Sequence, residues 1–146
     1  MTRVVDASVA AKWFFDEPLT PNARAVLRDP DGLVAPDLVL LEVANVAWKR
    51  VARGEASPEH MRAVADALPH CFSLLVPAAD VLSEAAETAI RLNHPVCDCV
   101  YLALARRRGL PLVTADRGLK GRAEAAGWEG EIVFLAEVPP LPESRP

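Results

Sequence analysis

Arg3-Val4-Val5-Asp6-Ala7-Ser8 is the stretch on which the fold turns: a β-branched pair runs straight into an acid and then into a segment of helical pattern. It reads as a strand ending on a carboxylate. In an open α/β sheet, ligands gather outside the carboxyl ends of parallel strands, which makes Asp6 a candidate functional group. A second reading is open at this point. Asp and Ser are favoured helix N-caps, and Asp6 or Ser8 could do no more than start a helix from Val9 to Phe15. Residues from elsewhere in the chain have to decide.

Outward from Asp6, the first helix carries Trp13-Phe14-Phe15 and ends near Asp16-Glu17-Pro18, because proline disfavours helical geometry in the residue before it. Three adjacent aromatic residues on one short helix cannot all face one core, so part of the triplet is expected at the surface. A second helix is expected over Pro21–Arg28, with Thr20 as cap and Pro21 at the first helical position, followed by the turn Asp29-Pro30-Asp31-Gly32. Leu33-Val34-Ala35 reads as a short buried strand. From Asp37 to Arg53 the residues are apolar nearly throughout, which suits a largely buried helix closed by Gly54, interrupted by Glu42 and Asn45 on one face.

Ser57-Pro58 opens the next helix by the cap-then-proline rule, and Phe72 to Val76 is a further strand. Asp80–Leu92 and Val96–Arg108 read as helices punctuated by Asn93 and Gly109; Leu112-Val113-Thr114 is a strand delivering Asp116; a helix to Gly127 and a strand Ile132–Leu135 complete the pattern. Strands alternating with helices argue for an α/β fold, a parallel sheet covered on both faces. Residues 1–137 form one domain in this reading, and the proline-rich residues 138–146 are expected to be a disordered or extended tail.

A chain of 146 residues at 51% hydrophobic is ample for one domain with a single core. The N-terminus enters a strand without a signal pattern, and no apolar run approaches the roughly 18 residues of a membrane span, so a cytoplasmic location is expected. Three cysteines make neither a disulfide framework nor a standard zinc pattern and are expected to pack as small apolar residues. The net charge of -4 argues against a basic nucleic-acid surface, yet setting aside Asp6, Glu42, Asp98 and Asp116 as one pocket leaves the remainder neutral.

These four acids have unequal alternatives. Asp98 near a helix N-terminus is favoured by the dipole, and Asp116 could cap the helix beyond it. Glu42 has neither excuse: it lies past the first turn of an apolar helix, where an unpaired buried carboxylate is costly. Converging carboxylates repel one another, whereas a hard divalent cation, Mg²⁺ or Mn²⁺, removes the repulsion. One such ion, or two about 4 Å apart, could orient a water, lower its pKa and neutralise charge on a phosphodiester. Phosphodiester hydrolysis is the chemistry implied.

Taken in order, Val-Val-Asp6-Ala-Ser8 with Lys12-Trp13-Phe14, Glu42-Val-Ala-Asn45, Asp98-Cys-Val-Tyr101-Leu-Ala-Leu-Ala and Leu-Val-Thr114-Ala-Asp116-Arg117 resemble the PIN-domain ribonucleases, most closely the VapC-type toxins of toxin-antitoxin pairs. The likeness spans Arg3 to about Leu135. It implies a three-layer α/β/α domain with a strongly twisted parallel sheet, a homodimer, a VapB-like antitoxin laid near the site, and endoribonuclease action that arrests translation. By the same resemblance Asp6, Glu42, Asp98 and Asp116 match the metal-binding catalytic acids, while Ser8, Asn45 and Thr114 match supporting polar positions. Lys12, Arg117, Lys120 and Arg122 are candidate phosphate contacts, each weighed against simple solvation. Gly118-Leu-Lys-Gly121 imitates the GxxG loop of KH domains but lacks their context and reads as a turn.

Competing classes fare worse. A haloacid-dehalogenase-type phosphatase uses Asp-x-Asp, and here Ser8 stands where the second acid belongs. A serine hydrolase would need G-x-S-x-G, which is absent, and His60, His70 and His94 show no motif tying them to Ser8. A non-catalytic RNA- or protein-binding module would leave an intact acid set without a purpose.

Overall fold

Val4 and Val5 are wholly buried, and the strand they form, β1 (Arg3–Val5), is the middle of the sheet. In the computed structural model, which describes residues 1–142, five parallel strands lie in the order β3-β2-β1-β4-β5. β2 is Leu33–Pro36, β3 Leu74–Val76, β4 Leu112–Thr114 and β5 Ile132–Phe134. β1 pairs Val4 with Val34 on one side and with Leu112 on the other. These strands are short, but β2 and β4 are buried throughout, as strands covered on both faces must be.

The helices are α1 (Ala7–Ala10), α2 (Thr20–Leu27), α3 (Leu38–Ala52), α4 (Pro58–Ala67), α5 (Leu82–Leu92), α6 (Val96–Arg108) and α7 (Arg117–Ala125). They flank the sheet in a three-layer α/β arrangement. From β1 the chain builds outward through β2 to β3, then returns past β1 to lay down β4 and β5. The switch point therefore lies between the ends of β1 and β4, where open sheets of this type place their ligands.

α6 is the central helix, with every residue from Cys99 to Ala105 buried as it packs on β1, β2 and α5. It stops at Gly109, whose φ of +63° is left-handed; Gly109 N–H bonds to Arg106 O, and Leu110 N–H reaches back to Ala105 O at 2.9 Å. Those paired bonds satisfy carbonyls that the helix end would otherwise orphan.

Several expectations need correction. α3, expected to be largely buried, buries only Val39, Val43 and Ala47 and leaves Leu41 and Trp48 exposed, because only one face of the helix meets the rest of the fold. The helix expected over Val9–Phe15 is α1 followed by a tighter 3₁₀ turn, Ala11–Trp13, and the chain then bends at Phe14. This winding breaks the single-face constraint: Trp13 and Phe15 are buried and Phe14 is half-buried against the core. Trp13 donates its indole N–H to Ala23 O at 2.9 Å, and Phe15 stacks on His60 at 4.8 Å beneath Arg50. Thr20 begins α2 rather than capping it, because its Oγ1 is engaged with Glu17 N–H and Phe15 O. Gly118 and Gly121 lie within α7 and form neither a turn nor a GxxG loop. Of the cysteines, Cys99 is buried, Cys71 is half-buried, and Cys97 is exposed on α6.

Val138, assigned to the tail on composition, is buried in the core, and its carbonyl accepts from Asn22 Nδ2 at 2.7 Å. Leu141 N–H bonds to Pro21 O at 3.2 Å. The rest of the tail expectation, residues 143–146, lies outside the described residues. Among the described residues, no helix is long and apolar enough to cross a membrane.

Candidate active site

β1 and β4 end side by side, and each hands over to a helix through an aspartate. Asp6 caps α1, accepting Val9 N–H at 3.3 Å; Asp116 caps α7, accepting Leu119 N–H at 3.1 Å. Capping and a place at the switch point are thus compatible, and both hold for both residues. Their environments differ sharply. Asp6 is buried, whereas Asp116 is exposed.

Ser8 and Thr114 hold Asp6 from two sides. Ser8 Oγ–H donates to Oδ1 at 2.5 Å and Thr114 Oγ1–H donates to Oδ2, while the same hydroxyl oxygens accept Ala115 N–H at 2.9 Å and Asp116 N–H at 3.0 Å. Burial nevertheless pushes the Asp6 carboxyl up to about 6, against those hydrogen bonds and with help from the charge of Asp98. Loss of solvent outweighs three donors.

Glu42, half-buried in α3, accepts the phenol of Tyr101 at Oε1 over 2.5 Å. Burial raises its carboxyl above the ordinary range; the Tyr101 hydrogen bond pulls it back and the charge of Asp98 adds to the rise. Asp98, in the first turn of α6, is held by His94, whose Nε2 lies 2.6 Å from Oδ2. Asp98 is thereby the electrostatic link between Asp6 and Glu42.

A cleft of about 820 Å³ opens beside these residues, and among the side chains lining it are Ser8, Lys12, Glu42, Asn45, Lys49, Asp116 and Arg117. The expectation that the four acids converge into one cage needs correction: among the described residues, no three His, Cys, Asp or Glu side chains stand close enough to hold a metal ion. Each carboxylate is instead turned toward its own donor, Asp6 to Ser8 and Thr114, Glu42 to Tyr101, Asp98 to His94 and Asp116 to the start of α7.

The four basic candidates separate. Arg117 lines the cleft with its guanidinium 4.2 Å over the Phe134 ring. Lys12 also lines it, but Nζ is bound to Glu17 at 2.9 Å, and Arg50 takes the other Glu17 oxygen. Although burial alone would raise it, these two cations hold Glu17 below its usual value. Lys120 faces Glu137 and Glu124, Arg122 donates to Asn93 O at 2.6 Å, and neither lines the cleft. α7 turns them away from it.

Three residues at the site escaped the sequence reading. Lys49 lies on the α3 face of Glu42 and Asn45, at i, i+3 and i+7, a spacing that could have revealed it. His94 precedes Asp98 by four residues and Tyr101 follows it by three. That spacing marked both as neighbours of Asp98 without showing which acid each would bond.

Comparisons with known proteins place the chain in a family. The family model for the PIN domain matches residues 3–125. Ribonuclease VapC3 of Pyrobaculum aerophilum is 33% identical over 121 residues, covering 82% of this chain and 92% of that protein. Ribonuclease VapC1 of Mycobacterium tuberculosis is 36% identical over 101 residues, 69% of this chain and 73% of that protein. Two crystal structures share the fold. PAE2754 from P. aerophilum superposes with a TM-score of 0.66 at 22% identity, covering 93% of each chain. M. tuberculosis VapC20, described as a Sarcin-Ricin loop cleaving toxin, superposes with a TM-score of 0.64 at 19% identity, covering 83% of this chain and 94% of that one. With a family model spanning the sheet from β1 through α7 and relatives this similar over most of its length, the chain belongs to the PIN-domain family, among the VapC ribonucleases.

Proposed function

We propose that this protein is a divalent-metal-dependent endoribonuclease acting as the toxin of a toxin-antitoxin pair. The observation that carries the reading is Asp6: a buried carboxylate at the switch point, clamped by Thr114 and by Ser8, which itself lines a cleft shared with Glu42 and Asp116. Asp6, Glu42 and Asp98 would hold Mg²⁺ or Mn²⁺, with Asp116 at the rim; since no three such side chains stand within reach of one ion among the described residues, the cation would have to draw them together. The donors are all oxygen, which suits a hard cation, and burial makes Asp6 and Glu42 hold their protons more tightly than usual, a cost that a neutralising ion relieves. When bound, one or two such ions would lower the pKa of a coordinated water and offset charge on the scissile phosphate.

The protein's own contribution is placement. Ser8 and Thr114 each take one Asp6 oxygen and so fix the carboxylate plane. Asn45 stands one turn along α3 from Glu42 and supports the same face. Lys49 and Arg117, at the cleft wall, neutralise phosphates on either side of the cut. Lys12 does so only by leaving Glu17.

The test is purified protein, freed of any partner, incubated with total RNA and Mn²⁺ or Mg²⁺, beside a chelator control. Asp6→Asn should reduce cleavage by about a hundredfold or more, as metal sites depend on their ligands. Full cleavage by a folded Asp6→Asn protein would overturn the reading.

A VapB-like antitoxin and a second copy of the chain complete this reading. Burial of Trp13 and Phe15 removes them as antitoxin anchors. Leu41 and Trp48 take their place: they are exposed, seven residues apart on α3, on one side of the helix that carries Glu42. Trp48→Ala should weaken antitoxin binding by about 1 to 3 kcal/mol as an aromatic anchor while leaving cleavage intact. Titration calorimetry with the co-expressed upstream protein would show it, and unchanged affinity would move the docking surface elsewhere.

A further inference from the structure

Tyr101 is the protein's single tyrosine and, among the described residues, the largest fully buried side chain. A buried phenol needs an acceptor, and a backbone carbonyl would serve. Its acceptor here is instead Glu42 Oε1, 2.5 Å away and 59 residues distant in sequence, an acid that lines the cleft from an otherwise apolar stretch of α3. Tyr101 lies one turn beyond Asp98 on α6, so one face of that helix brings both a hydroxyl donor and a second carboxylate up to Glu42. The Glu42 carboxylate can only accept, so the phenol O–H is the donor of this bond.

We propose that Tyr101 is a positioning residue: its O–H fixes Glu42 by Oε1, leaving Oε2 for the cleft, so that α3 and α6 present Glu42 and Asp98 to a cation in one arrangement. This rests on the metal-dependent reading above. Without the hydroxyl, a glutamate with three rotatable bonds must be ordered by the ion itself, and the ordering cost comes out of the binding affinity. A phenol that merely satisfied the core would leave metal affinity untouched.

Tyr101→Phe removes one oxygen and keeps the ring. Mn²⁺ titration calorimetry on the wild-type and variant proteins should show affinity weakened about tenfold or more, with the melting temperature in chelator close to that of wild type. Because there is one tyrosine, ¹³Cζ labelling of the wild type gives a single resonance, and saturating Mg²⁺ should shift it. If wild type binds Mn²⁺ and a folded Tyr101→Phe protein binds it equally well, the positioning role is wrong and the metal reading stands. If wild type binds neither ion, both fall. Should the variant not fold, the label decides: a resonance unmoved by saturating Mg²⁺ overturns the proposal, and a shifted one supports it.

Discussion

Asp6 is costly where it stands because its surroundings compensate imperfectly for lost water. Its folded value of about 6 lies above the ordinary 3.8, so the folded state binds its proton more tightly than the unfolded chain does. The sign follows: stability linked to Asp6 is fully present below pH ~4 and is lost as pH rises through about 6. In chelator, Asp6→Asn should therefore stabilise the fold by about 1 to 3 kcal/mol at pH 8, the upper figure being the two-unit shift converted to free energy. At pH 3.5 the gain should vanish. Urea denaturation at both values checks it, and equal effects at the two would mean that charge burial is not what makes Asp6 costly. Activity and stability thus oppose one another at this one residue.

Among the elements, α6 and α7 offer a paired contrast through their glycines. Gly109, at φ +63°, ends α6, and a Cβ there would meet nothing within 4 Å. Gly109→Ala should cost about 1 kcal/mol of stability from the left-handed backbone alone and leave cleavage unchanged. Gly118 lies in the first turn of α7, where alanine would gain up to about 1 kcal/mol of helix propensity. Its Cβ, however, would stand 3.2 Å from Asp116 Oδ1. Gly118→Ala should melt no lower than wild type yet cleave RNA severalfold more slowly, since the carboxylate must give way. Thermal melts and cleavage rates on the two variants separate a helix-end effect from a site effect; equal cleavage by both would place Asp116 outside the chemistry.

Over the whole molecule, a net charge of -4 leaves RNA attraction to the few cations at the cleft. Lys120 and Arg122 face other elements and Lys12 is paired, which leaves Lys49 and Arg117. With two phosphate contacts, the logarithm of single-strand affinity should fall against the logarithm of salt concentration with a slope of about -1 to -2. Fluorescence anisotropy with cleavage-deficient Asp6→Asn protein measures this. A slope steeper than about -4 would require a basic surface beyond the cleft or contributed by a second subunit.

What could be read from the chain alone was whatever depends on neighbours in sequence. Val96–Arg108 and Leu112–Thr114 come out with the expected bounds because proline, glycine and run length act locally. The parallel sheet and the strand-end place of Asp6 follow from the same kind of signal. Glu42 was legible as an anomaly, an acid within an apolar helix, but its partner was not: Tyr101 reaches it only because α3 and α6 pack near the same end of the sheet. Thr114 donates to Asp6 across 108 residues because β1 and β4 are adjacent, a fact of strand order rather than spacing. Local winding hid the burial of Trp13 and Phe15, and charge counting could not show that Lys12 is paired with Glu17. Hydrogen-bond partners and side-chain exposure are decided by which surfaces meet, and that is settled only when the helices close over the sheet.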